Sequence, residues 1–176
     1  MTTINEFISE FFPEYFEYKS TDIDSEVVTL NFSTKARKVK CPKCSNKTTD
    51  YATYYTRSIQ DLPILDRSTY VNIKFRKMEC NNSSCNVNYF NEPLDDYVQI
   101  KKRYSNRLID LLIKVSLTES AEGGSRILRE KNINVSPDKL LQLAKEYEHE
   151  IDKSKVISIG VDDFALKKSI DMALFL

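Results

Sequence analysis

Glycine, histidine and long apolar runs are scarce in this chain of 176 residues. Its three glycines leave no Gly-rich loop to cradle a phosphate. The single histidine, His149, reads as a surface residue, and no Ser-His or Cys-His nucleophilic pair assembles. The apolar stretch from Leu108 to Val115 is broken by Asp110 and Lys114, far short of the roughly 20 residues a membrane span needs. The opening residues, Met1 to Glu6, carry neither the basic nor the apolar region of a secretory signal. Charge of one sign is not in excess either, with 26 basic against 26 acidic residues. The expectation is a soluble, cytoplasmic chain with no membrane partner. A hydrophobic content of 41% is enough for a core, in one sizeable domain or two small ones.

What is present is concentrated in four cysteines, grouped as Cys41-Pro42-Lys43-Cys44 and Cys80-Asn81-Asn82-Ser83-Ser84-Cys85. A C-x2-C pair and a C-x4-C pair supply four thiolates, enough to close a tetrahedral Zn²⁺ shell. Each short spacing lets one tight turn present two sulfurs to one ion. The long spacing leaves room for a β-hairpin to bring the two turns together. Pro42 fixes φ and stiffens the first turn. Two disulfides or a degenerate site are the alternatives, and disulfides suit a secreted chain. Cys41, Cys44, Cys80 and Cys85 are therefore the expected ligands of a structural zinc.

Neutrality overall hides an uneven distribution. Residues 1–34 carry seven acids and one base, net −6; residues 35–107 carry fifteen bases and seven acids, net +8; residues 108–176 come to −2. The basic block coincides with the cysteine pairs. A positive field on a small zinc module is the electrostatic footprint of a nucleic-acid binder.

Along the chain, residues 4–12 read as a short helix with Ile4, Phe7, Ile8, Phe11 and Phe12 on one stripe, stopped before Pro13. Strands are expected near Tyr15–Tyr18, Val27–Phe32, Tyr51–Ile59 and Tyr70–Met78. In the last, Val71, Ile73 and Phe75 alternate with Asn72, Lys74 and Arg76, giving one apolar face and one polar or basic face. Asp61–Asp66 reads as the turn-bearing connection. These elements make a zinc-ribbon-like hairpin with a knuckle at each end.

From Ser105 the period becomes helical. Leu108, Leu111, Leu112 and Val115 share a face. A second helix fits Ala121–Lys131, with Ile127 and Leu128 inward. A third begins at Ser136, an N-cap followed by Pro137 at the first helical position and Asp138 at the positive end. Leu140, Leu141, Leu143, Ala144 and Tyr147 supply its apolar surface. Three short helices with a compact turn at Asn132–Val135 read as a helix-turn-helix. Val156–Val161 is then a buried-strand run before Asp162-Asp163, and another strand starts near Met172. The run resembles the first edge of an unfinished sheet.

The order Cys41-Pro42-x-Cys44, Tyr55-x-Arg57, Asp61-Leu62-Pro63, Arg76-Lys77-Met78-Glu79-Cys80, Cys85 and Phe90-x-Glu92 resembles the N-terminal zinc-binding region of bacterial ISL-three-type insertion-sequence transposases. Val135-Ser136-Pro137-Asp138 is similar to part of their helix-turn-helix. Ile159 to Ala165 resembles the opening of their DDE catalytic domain, of RNase H-like fold. The resemblance runs from about residue 36 to the end of the chain. It implies two-metal phosphodiester chemistry with Mg²⁺ in a complete enzyme. Only the first carboxylate, assigned to Asp162, falls within this chain, so no catalysis is expected of it. The resemblance also leaves room for self-association in the complete transposase.

The expected fold class is α+β: a zinc-ribbon-like β module, a three-helix helix-turn-helix, then an incomplete RNase H-like edge. The expected division is 1–35 N-terminal helix and strands, 36–100 zinc ribbon, 101–152 helix-turn-helix and 153–176 the truncated start of the DDE domain. The expected partner is double-stranded DNA at the ends of the element. Arg57, Lys74, Arg76, Lys77, Lys101, Lys102, Arg103 and Arg107, in the basic block, are assigned to phosphates. Lys139, Gln142 and Lys145 on the third helix are assigned to base edges. The competing readings are a stand-alone zinc-ribbon and helix-turn-helix regulator, and a protein-interaction zinc ribbon.

Overall fold

Alternation of apolar and polar residues from Thr69 to Phe75 builds the central strand of the structure, a computed structural model that describes residues 4–147, 163–165 and 172–174. A short helix α1 (Ile4–Ser9) precedes the hairpin of β1 (Phe16–Ile23) and β2 (Val27–Thr34). Asp24 turns that hairpin, its carboxylate accepting from the backbone N–H groups of Glu26 and Val27 at 2.8 and 2.7 Å. Two small strands follow, β3 (Val39–Lys40) and β4 (Lys47–Thr48), then the long pair β5 (Tyr51–Ile64) and β6 (Arg67–Glu79), then β7 (Tyr89–Asn91).

The sheet order is β1-β2-β6-β5, with β7 also paired to β6. β2 runs parallel to β6, from Val27 opposite Ser68 to Ser33 opposite Lys74. The N-terminal strands and the zinc-bearing hairpin therefore share one sheet, across the expected boundary at residue 35. A chain can join these strands only through a crossover, and residues 35–66 are that crossover. One face is covered by the segment after β7, whose Leu94, Tyr97 and Val98 pack on Phe16, Leu30, Phe32, Ile59, Val71 and Ile73.

The expected connection at Asp61–Asp66 is shorter than the sequence suggests. β5 continues to Ile64, with an irregularity in its pairing between Asp61 and Ile64. Only Leu65 and Asp66 turn, both at positive φ, 49° and 56°. That is the twist a two-residue hairpin turn requires, here without glycine. The pairing irregularity tolerates Pro63, which has no N–H to give the ladder.

Three helices follow: α2 (Asn106–Thr118), α3 (Ala121–Glu130) and α4 (Pro137–Glu146). Ser105 caps α2, its hydroxyl accepting from the Leu108 N–H, and Ser120 caps α3 in the same way through Gly123. Ser136 accepts from the Lys139 N–H at 3.2 Å, as its place before Pro137 predicts. Leu108, Leu112, Leu128, Ile133, Val135, Leu140 and Leu143 form their common core. Gly124 lies at a close approach of the three helices: a Cβ there would sit 2.8 Å from a Val115 methyl and 3.2 Å from one of Leu140. Ile127, expected inward, is exposed; the inner stripe of α3 is Gly124, Ser125 and Leu128, about 100° away around the helix. Leu141 and Tyr147 are likewise half exposed, leaving Leu140 and Leu143 to anchor α4.

The helices dock on the closed end of the β5–β6 hairpin. Asp61, fully buried, is the hub. Its carboxylate accepts from Tyr97 Oη at 2.7 Å, Ser105 Oγ at 2.5 Å, the Leu62 N–H at 2.8 Å and the Arg107 guanidinium. Burial pushes the Asp61 carboxyl up, but the hydrogen bonds from Arg107, Ser105 and Tyr97 outweigh it and hold it below the ordinary range. We expect Asp61→Asn to cost about 2–3 kcal/mol, because an amide turns a donor toward donors and leaves Arg107 unpaired. Faster hydrogen exchange at Leu108 and the first turn of α2 would register it; unchanged exchange there would remove Asp61 as the hub.

Two further strands, β8 (Asp163–Ala165) and β9 (Met172–Leu174), pair antiparallel, with Asp163 opposite Leu174. A strand near Met172 agrees with the sequence reading. The expected Val156–Val161 strand, His149 and Asp162 lie outside the described residues. No helix among the described residues is long and apolar enough to cross a membrane.

Candidate metal centre and nucleic-acid interface

The two cysteine turns come from opposite chain ends of one hairpin. β5 starts at Tyr51 and β6 ends at Glu79, and Tyr51 pairs with Met78, so the turns on either side lie together at the open end. The first turn is closed by the Cys41 N–H donating to Asn46 O at 2.8 Å and the Ser45 N–H donating to Cys41 O at 2.9 Å. Ser45 takes positive φ, 59°, to reverse the chain. The second is closed by the Cys80 N–H on Asn88 O and the Cys85 N–H on Asn82 O, both at 2.9 Å.

The four Sγ atoms all lie within 4.8 Å of one another. Cys41 and Cys85 are 4.0 Å apart and Cys44 and Cys80 are 3.6 Å apart. A tetrahedron with Zn–S bonds of about 2.3 Å has S···S edges of about 3.8 Å. Two of the edges are thus close to that value, and all four sulfurs are near enough to be drawn onto one ion. Val39, Met78 and Phe90 pack around them and keep the cluster partly dry.

The electrostatics point the same way. The Asn46 N–H, chiefly, lowers the Cys44 thiol to about 6. At Cys80 the Asn82 N–H lowers the thiol, but burial and the neighbouring Cys44 outweigh it and push it up to about 12. Crowded thiols ionise one at a time, and a divalent cation at their centre lets all four do so. The donor set and spacing support a structural Zn²⁺.

The cations expected to face phosphates divide sharply. Arg76 is not on the surface: it is buried and ion-paired to the fully buried Glu92 side chain at 2.8 Å. This corrects the strand reading. Past Lys74 the face that carries Asn72 and Lys74 becomes covered, so Arg76 and Met78 on the same parity are buried, while Lys77 on the other face stays half-buried. Arg107 is committed to Asp61. Arg57 donates to the backbone carbonyls of Gln99, at 3.0 Å, and Lys102. Lys74, Lys101 and Arg103 remain exposed. Lys77 lies over the Tyr89 ring at 4.8 Å, and Lys102 faces Glu146 at 3.5 Å.

On α4, Lys139 donates to Gln142 Oε1 at 3.1 Å, and Gln142 donates to Glu146 Oε1 at 2.5 Å, with Lys145 exposed beside them. Lys139 and Gln142 are thus tied to Glu146 along one exposed surface at i,i+3 and i,i+4 spacing, with Lys145 exposed on the same helix.

Two residues that the charge count alone passes over hold two of these arginines, Arg107 and Arg76, inside the fold. Asp61 and Glu92 are acids inside the basic block, and each sits in a quoted motif. Glu92 also accepts from Thr34 at 2.7 Å and Arg37 at 3.2 Å.

Comparison with known families places one match on this centre. Residues 37–85 match the family described as the zinc-finger of transposase IS204/IS1001/IS1096/IS1165. The match contains all four cysteines and both turns, and it covers under a third of the chain. No curated protein and no solved structure matches the chain.

Proposed function

We propose that this chain, whose residues 37–85 match the zinc-finger of ISL-three-type transposases, binds the terminal inverted repeats of an insertion sequence for DNA transposition. The match coinciding with the four-sulfur cluster carries this reading. A transposase-related, DNA-binding role follows from the family. The finer assignments are ours.

In this reading α2, α3 and α4 act as a helix-turn-helix, and Lys139, Gln142 and Lys145 face base edges from α4. Lys74, Lys77, Lys101, Lys102 and Arg103 neutralise phosphates. Arg57, Arg76 and Arg107 hold the scaffold instead. The β5–β6 hairpin spans about 40 Å at the usual rise per residue, with the cysteine turns at one end and the helices at the other. That separation is close to one turn of B-DNA, about 34 Å, so the two modules suit successive turns on one side of a duplex. Asp162 is proposed as the first carboxylate of a DDE set that holds Mg²⁺ in a complete catalytic domain, where self-association would pair the element ends.

Duplexes bearing the element end and scrambled duplexes, titrated across salt, test this. Lys101→Ala should weaken both about equally and lower the salt slope by about one. Gln142→Ala should lose about tenfold of the discrimination between them. Salt-independent behaviour with no duplex bound would defeat the reading in favour of a protein-interaction ribbon.

A further inference from the structure

The geometry points to a second nucleic-acid surface: the open face of the sheet around Tyr51, Tyr54 and Lys74 holds unpaired bases of single-stranded DNA. This extends the DNA-binding role proposed above from duplex to strand.

The five-stranded sheet has one face under Leu94, Tyr97 and Val98; the other is open around Lys74 and closes at the buried Arg76 and Met78. Register assigns the open face. Tyr54 pairs with Arg76, Thr56 with Lys74 and Ser58 with Asn72, and on the far side Asn31 pairs with Asn72 and Ser33 with Lys74. Short polar side chains line it almost throughout. Two large aromatics on such a face are out of keeping with a merely solvated surface. Tyr51 and Tyr54 are 45% and 42% exposed, with ring centroids 5.0 Å apart. Lys74 Nζ lies over one face of the Tyr54 ring, 4.8 Å from its centroid, and the Arg76 guanidinium over one face of the Tyr51 ring at 6.0 Å, which leaves each ring its other face. Tyr55, one residue on, turns to the opposite face beside Phe75.

A groove of about 630 Å³ opens beside Tyr54, lined by Thr56, Asn72, Lys74, Asn31 and Ser33. Its far rim carries Glu17, neutralised by Lys19 at 2.8 Å. Exposed rings offer π faces on which any base stacks, and a cation beside them takes the phosphate. Paired bases cannot reach a ring on a sheet, because their faces are covered by their neighbours, so the occupant is an unpaired strand. The block from residue 35 to 107, net +8, supplies the attracting field.

The test uses the full zinc-loaded chain and a labelled oligothymidylate of about fifteen nucleotides, read by anisotropy beside a duplex. The chain has no tryptophan, so quenching of its tyrosine emission reports stacking directly. Tyr54→Ala should weaken oligothymidylate binding about tenfold and leave duplex binding within about twofold. Tyr54→Phe should bind like the parent, and so should Tyr55→Ala. Parent-like oligothymidylate binding by Tyr54→Ala, an equal loss on strand and duplex, or tighter binding of oligouridylate would overturn the proposal. Retained strand binding with no duplex binding would instead remove the helix-turn-helix reading and leave the platform standing.

Discussion

Cys44→Ser, or a chelator, is expected to release the metal and melt the open end of the β5–β6 hairpin. Four buried hydrophobic residues, Val39, Cys41, Met78 and Phe90, are all that this end has for a core of its own. So small a cluster cannot offset the ordering of two turns and three short strands. Zinc supplies the difference: about 10–16 kcal/mol in isolated structural sites, comparable with the whole stability of a domain. The damage has a boundary. Ile59, Val71, Ile73 and Phe75 belong to the main core with β2 and the segment at 94–98, and none of them touches the sulfurs' cluster. Amide protection should therefore vanish over residues 37–48 and 78–91 while the centre of the sheet and the helices keep theirs. Metal analysis of the parent should give one zinc per chain. Undiminished protection of the turns after metal removal would defeat the assignment.

Much of this was legible because it is written in short-range chemistry. The cysteine spacings, the Ser136-Pro137 cap and the alternation from Val71 to Phe75 each state a local geometry that the fold has no reason to override. The parallel pairing of β2 with β6 was not legible. Val28, Leu30 and Phe32 announce a strand with one buried side, but nothing in them names a partner some 40 positions away. Arg76 failed for a related reason. Its parity in the strand was read correctly, yet parity says which face a residue is on and not what covers that face. The covering segment, with Arg37 and Glu92, comes from elsewhere in the chain. Ile127 shows the limit of apolar counting on a short helix: with Leu128 next to it, only the docking of α3 on α4 decides which of the two turns inward.

Glu92→Ala is the second large effect, expected to cost about 3–5 kcal/mol and lower the melting temperature by about 10 °C. The reason lies in what remains. Arg76 is 3% exposed, and without Glu92 its guanidinium keeps carbonyl contacts to Lys35 and Arg37, at 3.4 and 3.3 Å, and the Tyr51 ring at 6.0 Å, but no counter-charge. A buried cation without a counter-charge is far costlier than the loss of the pair as such. Arg37, Thr34 and the Arg76 backbone N–H lose an acceptor together. Burial pushes the Glu92 carboxyl up, but hydrogen bonds from Arg76 and Thr34 outweigh it and hold it below the ordinary range. Its contribution is thus full above the unfolded value, about 4.3, and fades as the pH falls through the folded one. The parent should lose stability on acidification below about pH 4, and Glu92→Ala should show less of that loss. The double variant Arg76→Met with Glu92→Leu separates charge from packing. Removing both charges together should restore most of the stability, since a buried pair is worth little against apolar side chains of similar size. If the double variant is as unstable as Glu92→Ala, the cost comes from Thr34, Arg37 and the lost packing, and the buried cation is not its cause.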